Sequence, residues 1–282
     1  QFAPLPSVNV TKNQINLIGM ACRKNTNIER LRIIAAYGII CFHSQSGFLK
    51  EIGYAGLPAF VMVTFSFGLI RLAQVTHGPG ESHFKKYMVS KINRILLPYF
   101  FWVIIYGVWG CVRMLSSRGE IINVPITIFF PLYGTSIHLW YLPFVFLGLV
   151  ILSCMKEHFL MKTHFALFAF STATILTGLL PVFIPDINNM PLPVPQVVYA
   201  LPALFLGLII SDNLQVRISL KYLLAVMIIF FTGVVRLISS NDHNYLLLYL
   251  ISFVVVVIAK NIPGKHDDIT EKLSPLTFGI YL

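Results

Sequence analysis

Apolar runs of about twenty residues recur along the whole chain, and this recurrence limits the fold more than any other feature. A helix of that length crosses roughly 30 Å of hydrocarbon. The runs are continuous rather than alternating, which argues against a barrel. Hydrophobic residues make up 56% and charged residues 11%, with a mean hydropathy of +0.77; a soluble domain carries about a quarter charged residues. The fold class expected is all-α, a polytopic transmembrane helix bundle. Spans are predicted at about 31–49, 54–74, 95–115, 138–155, 164–183, 198–211, 220–238, 244–259 and from 274 onward. Val124–Tyr133 is short and Pro-broken, and reads as a re-entrant or interfacial piece on the outer side. The last run stops after about two turns, so the last helix is expected to be truncated and the transmembrane domain, 27–282, incomplete at its C-terminus. Residues 1–26 read as an N-terminal cytoplasmic segment without a secretory signal, with Met20 the expected start and 1–19 not native.

The formal net charge of +10 is informative through its placement. With the N-terminus in the cytoplasm, that side receives Lys12, Arg23, Lys24, Arg30, Arg32, Arg71, Lys85, Lys86, Lys91, Arg94, Lys156, Lys162, Arg217, Lys221, Lys260, Lys265 and Lys272. The outside receives only Lys50, Arg113, Arg118 and Arg236. This asymmetry is the positive-inside pattern of a multi-pass protein of the inner (plasma) membrane with a cytoplasmic N-terminus. Basic and aromatic residues do not interleave on a polar surface, so no nucleic-acid partner is expected. Cys22, Cys41, Cys111 and Cys154 show no CxxC spacing, and Cys41, Cys111 and Cys154, in or near apolar runs, read as small hydrophobes.

Arg32 and His43 are the candidate functional pair. After Arg32 the first run is almost wholly apolar until His43. Eleven residues apart, they leave one helix face ~16 Å from each other along the axis. They cannot touch, but they can serve two ends of one long substrate. An ionisable residue within a membrane helix is a functional candidate by default. A neutral imidazole at His43 can take a proton from a hydroxyl; the alternative is a histidine hydrogen-bonded between helices. Ser44, Gln45, Ser46 and Gly47 follow it and line a wet cavity or a protein interior. No carboxylate falls within a predicted span, which disfavours both a carboxylate-based proton-coupled carrier and an acidic metal site. Glu51, in the outer loop, could fold back to orient His43. Arg71, Lys91 and Arg94 join Arg32 at the cytoplasmic side as a basic mouth suited to phosphate; ordinary snorkelling anchors are the alternative. His138-Leu139-Trp140-Tyr141-Leu142 opens the fourth span at the outer face, where an aromatic belt is the plain explanation. His77 and His83 fall in an inner Gly/Pro-containing loop, and no metal site is expected.

These residues resemble the integral-membrane acyltransferase-3 family, the bacterial O-acyltransferases of surface polysaccharides and related glycans. The family's Arg-x10-His corresponds to Arg32 and His43, inside a family-like Asn27-Ile28-Glu29-x-Leu31-Arg32-Ile33-Ile34-Ala35. Lys91-Ile92-Asn93-Arg94-Ile95-Leu96-Leu97-Pro98-Tyr99 is similar to its Arg-x-x-Arg-Ile-x-x-Pro-x-Tyr region. His138-Leu139-Trp140-Tyr141-Leu142 is similar to its His-Leu-Trp-Phe-Leu, and Phe278-Gly279-Ile280-Tyr281-Leu282 to the start of its last helix. The second helix departs: Thr64 stands near the family's serine with no glycine following, and Lys91 replaces an arginine. The family also leads one to expect ten spans, one more than the nine read here. The resemblance implies that acyl-CoA, with acetyl-CoA expected, is a cytoplasmic co-substrate rather than a bound cofactor, and that a glycan or glycolipid acceptor approaches from the other face. Arg32, Arg94, Lys91 and Arg71 would hold the CoA end. His43, with Arg32, would be catalytic, as base or as transient acyl carrier. Ser44, Ser46, Trp140 and Tyr141 are the candidate acceptor contacts. A transporter or flippase, or a non-catalytic envelope-assembly partner, are the alternatives.

Overall fold

The computed structural model describes residues 26–44, 53–76, 81–116, 134, 137–154, 163–211, 214, 216–240, 243–262, 264 and 268–273. Every regular element among them is helical. In chain order these are α1 (Thr26–Ser44), α2 (Gly56–Thr76), α3 (Glu81–Lys91), a π-helix (Ile92–Leu96), α4 (Leu97–Ser116), a 3-10 turn (Ile137–Trp140), α5 (Tyr141–Cys154), α6 (Thr163–Phe183), a 3-10 turn (Pro185–Asn189), α7 (Val194–Ile209), α8 (Ile218–Ser240), α9 (His243–Asn261) and α10 (Asp268–Leu273).

Eight of the predicted spans coincide with these helices. The ninth, and the Val124–Tyr133 stretch, lie outside the described residues. Four described helices are long and apolar enough to cross a membrane, and the expected count of nine to ten spans is not reached among them. Among the described residues, helix length accounts for part of the difference. α5 has 14 residues and α7 has 16, below the ~20 needed to span alone. α7 is largely buried among its neighbours, whereas α5 buries Tyr141, Leu142, Phe144 and Val145 and leaves Leu147 and Ile151 exposed. His83 sits on α3 instead of in the predicted loop, and His77 lies outside the described residues.

Close backbone approach builds the centre. α7 packs along both α2 and α6, while α1 and α9 flank α2. A Cβ on Gly207 would meet the Met62 backbone, and one on Gly56 would meet the Ala35 carbonyl. Gly38 and Gly53 face each other in the same way. Small residues let helices approach where lipid offers no hydrophobic drive to associate. Buried hydroxyls then fasten one helix to another. Ser211 Oγ donates to the Ser66 carbonyl (3.0 Å), and Ser252 Oγ to the Ala55 carbonyl (2.7 Å). At the C-terminus of α7, Lys221 Nζ donates to the Ser211 carbonyl (2.8 Å) and Lys260 Nζ to the Ile210 carbonyl. Two ammonium groups thus satisfy carbonyls that the helix itself leaves open, at the negative end of its dipole.

The outside is apolar. Phe100, Phe101, Ile104, Ile105, Val108, Trp109 and Val112 are all exposed. Their spacing puts them in one stripe along α4. A contiguous exposed patch of this size has no place on a soluble monomer; a bilayer covers it.

Candidate functional site

α1 is one unbroken helix carrying both Arg32 and His43. It begins at Thr26, earlier than the apolar run suggests, because Ile28 and Leu31 are already buried while the polar residues between them find partners. Asn27 Nδ2 donates to the Ile262 carbonyl at the end of α9 (3.0 Å), and Arg30 Nη1 to Asn27 Oδ1 (3.3 Å). Glu29, in the first turn, faces the positive end of the helix dipole.

Arg32 stands about 9 Å along the helix from Thr26, with its side chain partly covered. Its Nη1 donates to Glu29 Oε2 at 3.1 Å, with both side chains mostly covered. Its guanidinium lies 5.7 Å from the centre of the Phe60 ring. Phe60 packs edge-on against Tyr141 (5.5 Å between centroids). The Tyr141 hydroxyl lies 3.5 Å from Thr64 Oγ1. One ion pair, two aromatic rings and two hydroxyls thus meet between α1, α2 and α5. Trp140 and Tyr141 are buried, so they are not a lipid-facing belt; they pack against Phe144 and Phe60. Glu29, Phe60 and Thr64 were not singled out as site residues by sequence reasoning, although the Glu29–Arg32 spacing of i, i+3 is a helix-pair signal.

The remaining cations divide into two groups. Lys91 Nζ lies over the Tyr87 ring at 5.2 Å. Arg94 is exposed and lines an open groove of about 550 Å³ with Lys85, Lys86, Val89, Ser90 and Asn93. Successive turns of one helix face supply that lining, at i, i+4 and i+8. The π-helix sits at the end of the groove. Pro98 has no N–H to donate to the Arg94 carbonyl and crowds it. The Leu97 N–H instead reaches back to the Ile92 carbonyl, which widens the turn from which Asn93 and Arg94 project. Such π-turns recur at functional sites. Lys85, Lys86, Ser90 and Asn93 were not expected as site residues; their spacing was the available signal. The side chains of Arg71, His43 and Ser44, and all of Ser46 and Glu51, lie outside the described residues.

A helical bundle with an apolar exterior, a part-buried Arg–Glu pair inside and a cationic groove on one helix defines the class: a multi-pass membrane protein. Its family follows from comparison. The family model described as "Acyltransferase domain" matches residues 25–282, nearly the whole chain, and the chain belongs to this acyltransferase-3 family. It is a membrane acyltransferase. Comparison with curated proteins and with solved structures returns no match.

Proposed function

We propose that this protein moves an acyl group, acetyl in the simplest case, from cytoplasmic acyl-CoA to a hydroxyl of a cell-envelope polysaccharide or glycolipid. The observation that carries the donor half is the groove of Lys85, Lys86, Ser90, Asn93 and Arg94. Three cations, a hydroxyl and an amide on one face suit the phosphates of a nucleotide-bearing donor. The groove volume falls within the range of small-molecule sites.

The acceptor half rests on α1. Arg32 and His43 share one continuous helix and are separated by ~16 Å along it. Arg32, held by Glu29, orients the donor as its acyl end enters the bundle. At His43 a neutral imidazole removes the proton of the acceptor hydroxyl as that oxygen attacks the thioester carbonyl. The C–S bond breaks, the CoA thiolate leaves, and the imidazolium returns the proton to it. An ester and free CoA are the products. Transient acylation of the imidazole before attack leads to the same balance.

The test uses purified full-length protein, labelled acetyl-CoA and a lipid-linked glycan. Wild type forms a labelled ester, and Arg32→Ala and His43→Ala do not. Transfer that survives both substitutions overturns these roles. Solute flux without transfer to any acceptor establishes the carrier alternative.

A further inference from the structure

Beyond the reacting groups, the structure ties the outer end of α1 to four other elements through stacked aromatic rings. Phe42, immediately before His43, stacks on Tyr54 in the turn that opens α2 (centroids 4.4 Å apart, planes at 29°). Tyr54 stacks in turn on Tyr199 of α7 (4.6 Å, 26°). Tyr199 meets Tyr249 of α9 edge-on (5.6 Å), and Tyr249 stacks on Tyr245 (4.3 Å, 26°). The Arg236 guanidinium of α8 closes the series 4.0 Å from the Tyr245 ring. Tyr245, Tyr249 and Arg236 are buried. The Tyr249 hydroxyl donates to the Tyr199 backbone carbonyl, and Ser252 of α9 donates to the carbonyl of Ala55, next to Tyr54.

The ladder meets α1 at Phe42, in its last turn. Ile34 and Tyr37 on that helix are exposed, and helix ends fray unless something holds them. Among the described residues near its outer end, Gly38 against Gly53 and Phe42 against Tyr54 join α1 to the turn before α2. Offset-stacked rings fix orientation as well as distance. A cation seated on a desolvated ring anchors the far end more firmly than apolar packing alone.

We propose that this ladder, running from Phe42 to Arg236, holds the last turn of α1 and so sets where His43 stands relative to the acyl thioester. Tyr54 is the positioning residue at its centre. The proposal rests on the acyl-transfer reading above and adds to it the device that orients His43. Tyr54 acts through the stacking of its ring on Phe42 and Tyr199, so phenylalanine is expected to substitute for it and leucine is not.

The test pairs kinetics with backbone amide exchange on the full chain. Tyr54→Leu is expected to lower kcat by about tenfold or more, since a misplacement near 1 Å costs up to about 100-fold, while donor KM stays within about twofold because the Arg32 end is untouched. Tyr54→Phe restores kcat, and Tyr37→Leu, on the exposed face, leaves both constants unchanged. In parallel, Tyr54→Leu speeds amide exchange at residues 39–44 about tenfold but not at 28–35, a loss of local protection confined to the tethered turn. Unchanged exchange at 39–44 in Tyr54→Leu overturns the tether whether or not transfer is detected. So does a Tyr54→Phe protein as impaired as Tyr54→Leu, or a donor KM that rises in step with the fall in kcat. Absence of transfer in wild type overturns the acyl-transfer reading instead, and the exchange measurement still decides the ladder.

Discussion

The seam between α1 and α2 is a close backbone approach, and Gly56→Ala probes it. A Cβ at Gly56 would lie well inside 3.0 Å of the Ala35 carbonyl oxygen, with the Ala35 Cα and carbonyl carbon close behind. Those atoms are backbone, so no side chain can swing aside; the helices must part by roughly half an ångström or more. Overpacking of this kind costs about 1–3 kcal/mol, against at most about 1 kcal/mol recovered from the better helix propensity of alanine. A net loss of about 1–2 kcal/mol is expected in reversible unfolding of the detergent-solubilised protein. The effect on transfer is larger than that on stability. Ala35 lies between Arg32 and His43 on α1, so a displaced seam shifts both ends of the site, and about 10- to 100-fold of kcat is expected to go. Gly38→Ala, whose Cβ would stand 3.0 Å from the Gly53 oxygen, is expected to fall between Gly56→Ala and wild type. Gly110→Ala is the control, because nothing lies within 4 Å of its Cβ; it is expected to be neutral or slightly stabilising. If Gly56→Ala matches Gly110→Ala in both unfolding and turnover, close packing of α1 on α2 does not hold the site.

Other perturbations test separate parts. Glu29→Gln removes the 3.1 Å pair to Arg32; donor KM is expected to rise several-fold while stability falls by no more than about 1 kcal/mol, and an unchanged KM would separate Arg32 from the donor. A Lys85→Ala/Lys86→Ala/Arg94→Ala protein is expected to lose about tenfold or more in donor affinity and to lose much of its salt dependence; titration with acetyl-CoA at two ionic strengths checks this, and wild-type binding would empty the groove of a role. Tyr141→Phe and Thr64→Val each remove one side of the same hydroxyl contact; each is expected to cost about 0.5–1.5 kcal/mol, with the double variant no worse than the single ones, as read by denaturant unfolding. Lys221→Met removes a charged donor from the C-terminus of α7 and is expected to cost about 1.5–3 kcal/mol in the same measurement.

Much of the bundle was legible in the sequence because lipid imposes a single rule: long apolar runs become helices. Within those runs Arg32 and His43 stood out because charge is rare there. The start of α1 was less legible. Glu29 and Arg30 look like loop residues until Ile28 and Leu31 are seen to be buried. The π-turn at Ile92–Leu96 has no periodic signature, although Pro98 marks where the normal ladder must fail. Trp140 and Tyr141 fit a belt by position, and only packing against Phe144 and Phe60 shows otherwise. The ladder of Phe42, Tyr54, Tyr199, Tyr249, Tyr245 and Arg236 draws on distant segments of the chain. No spacing within any one segment announces it.

The central claim is that one helix joins a donor end to a reaction centre nearer the opposite face. Sided vesicles test it most directly. Protein is oriented in sealed proteoliposomes, labelled acetyl-CoA is supplied only on the face of Lys221 and Lys260, and a membrane-impermeant acceptor glycan only on the other. The account predicts labelled ester on the glycan across the bilayer, abolished in His43→Ala. Ester formed only when donor and acceptor share a face would contradict it.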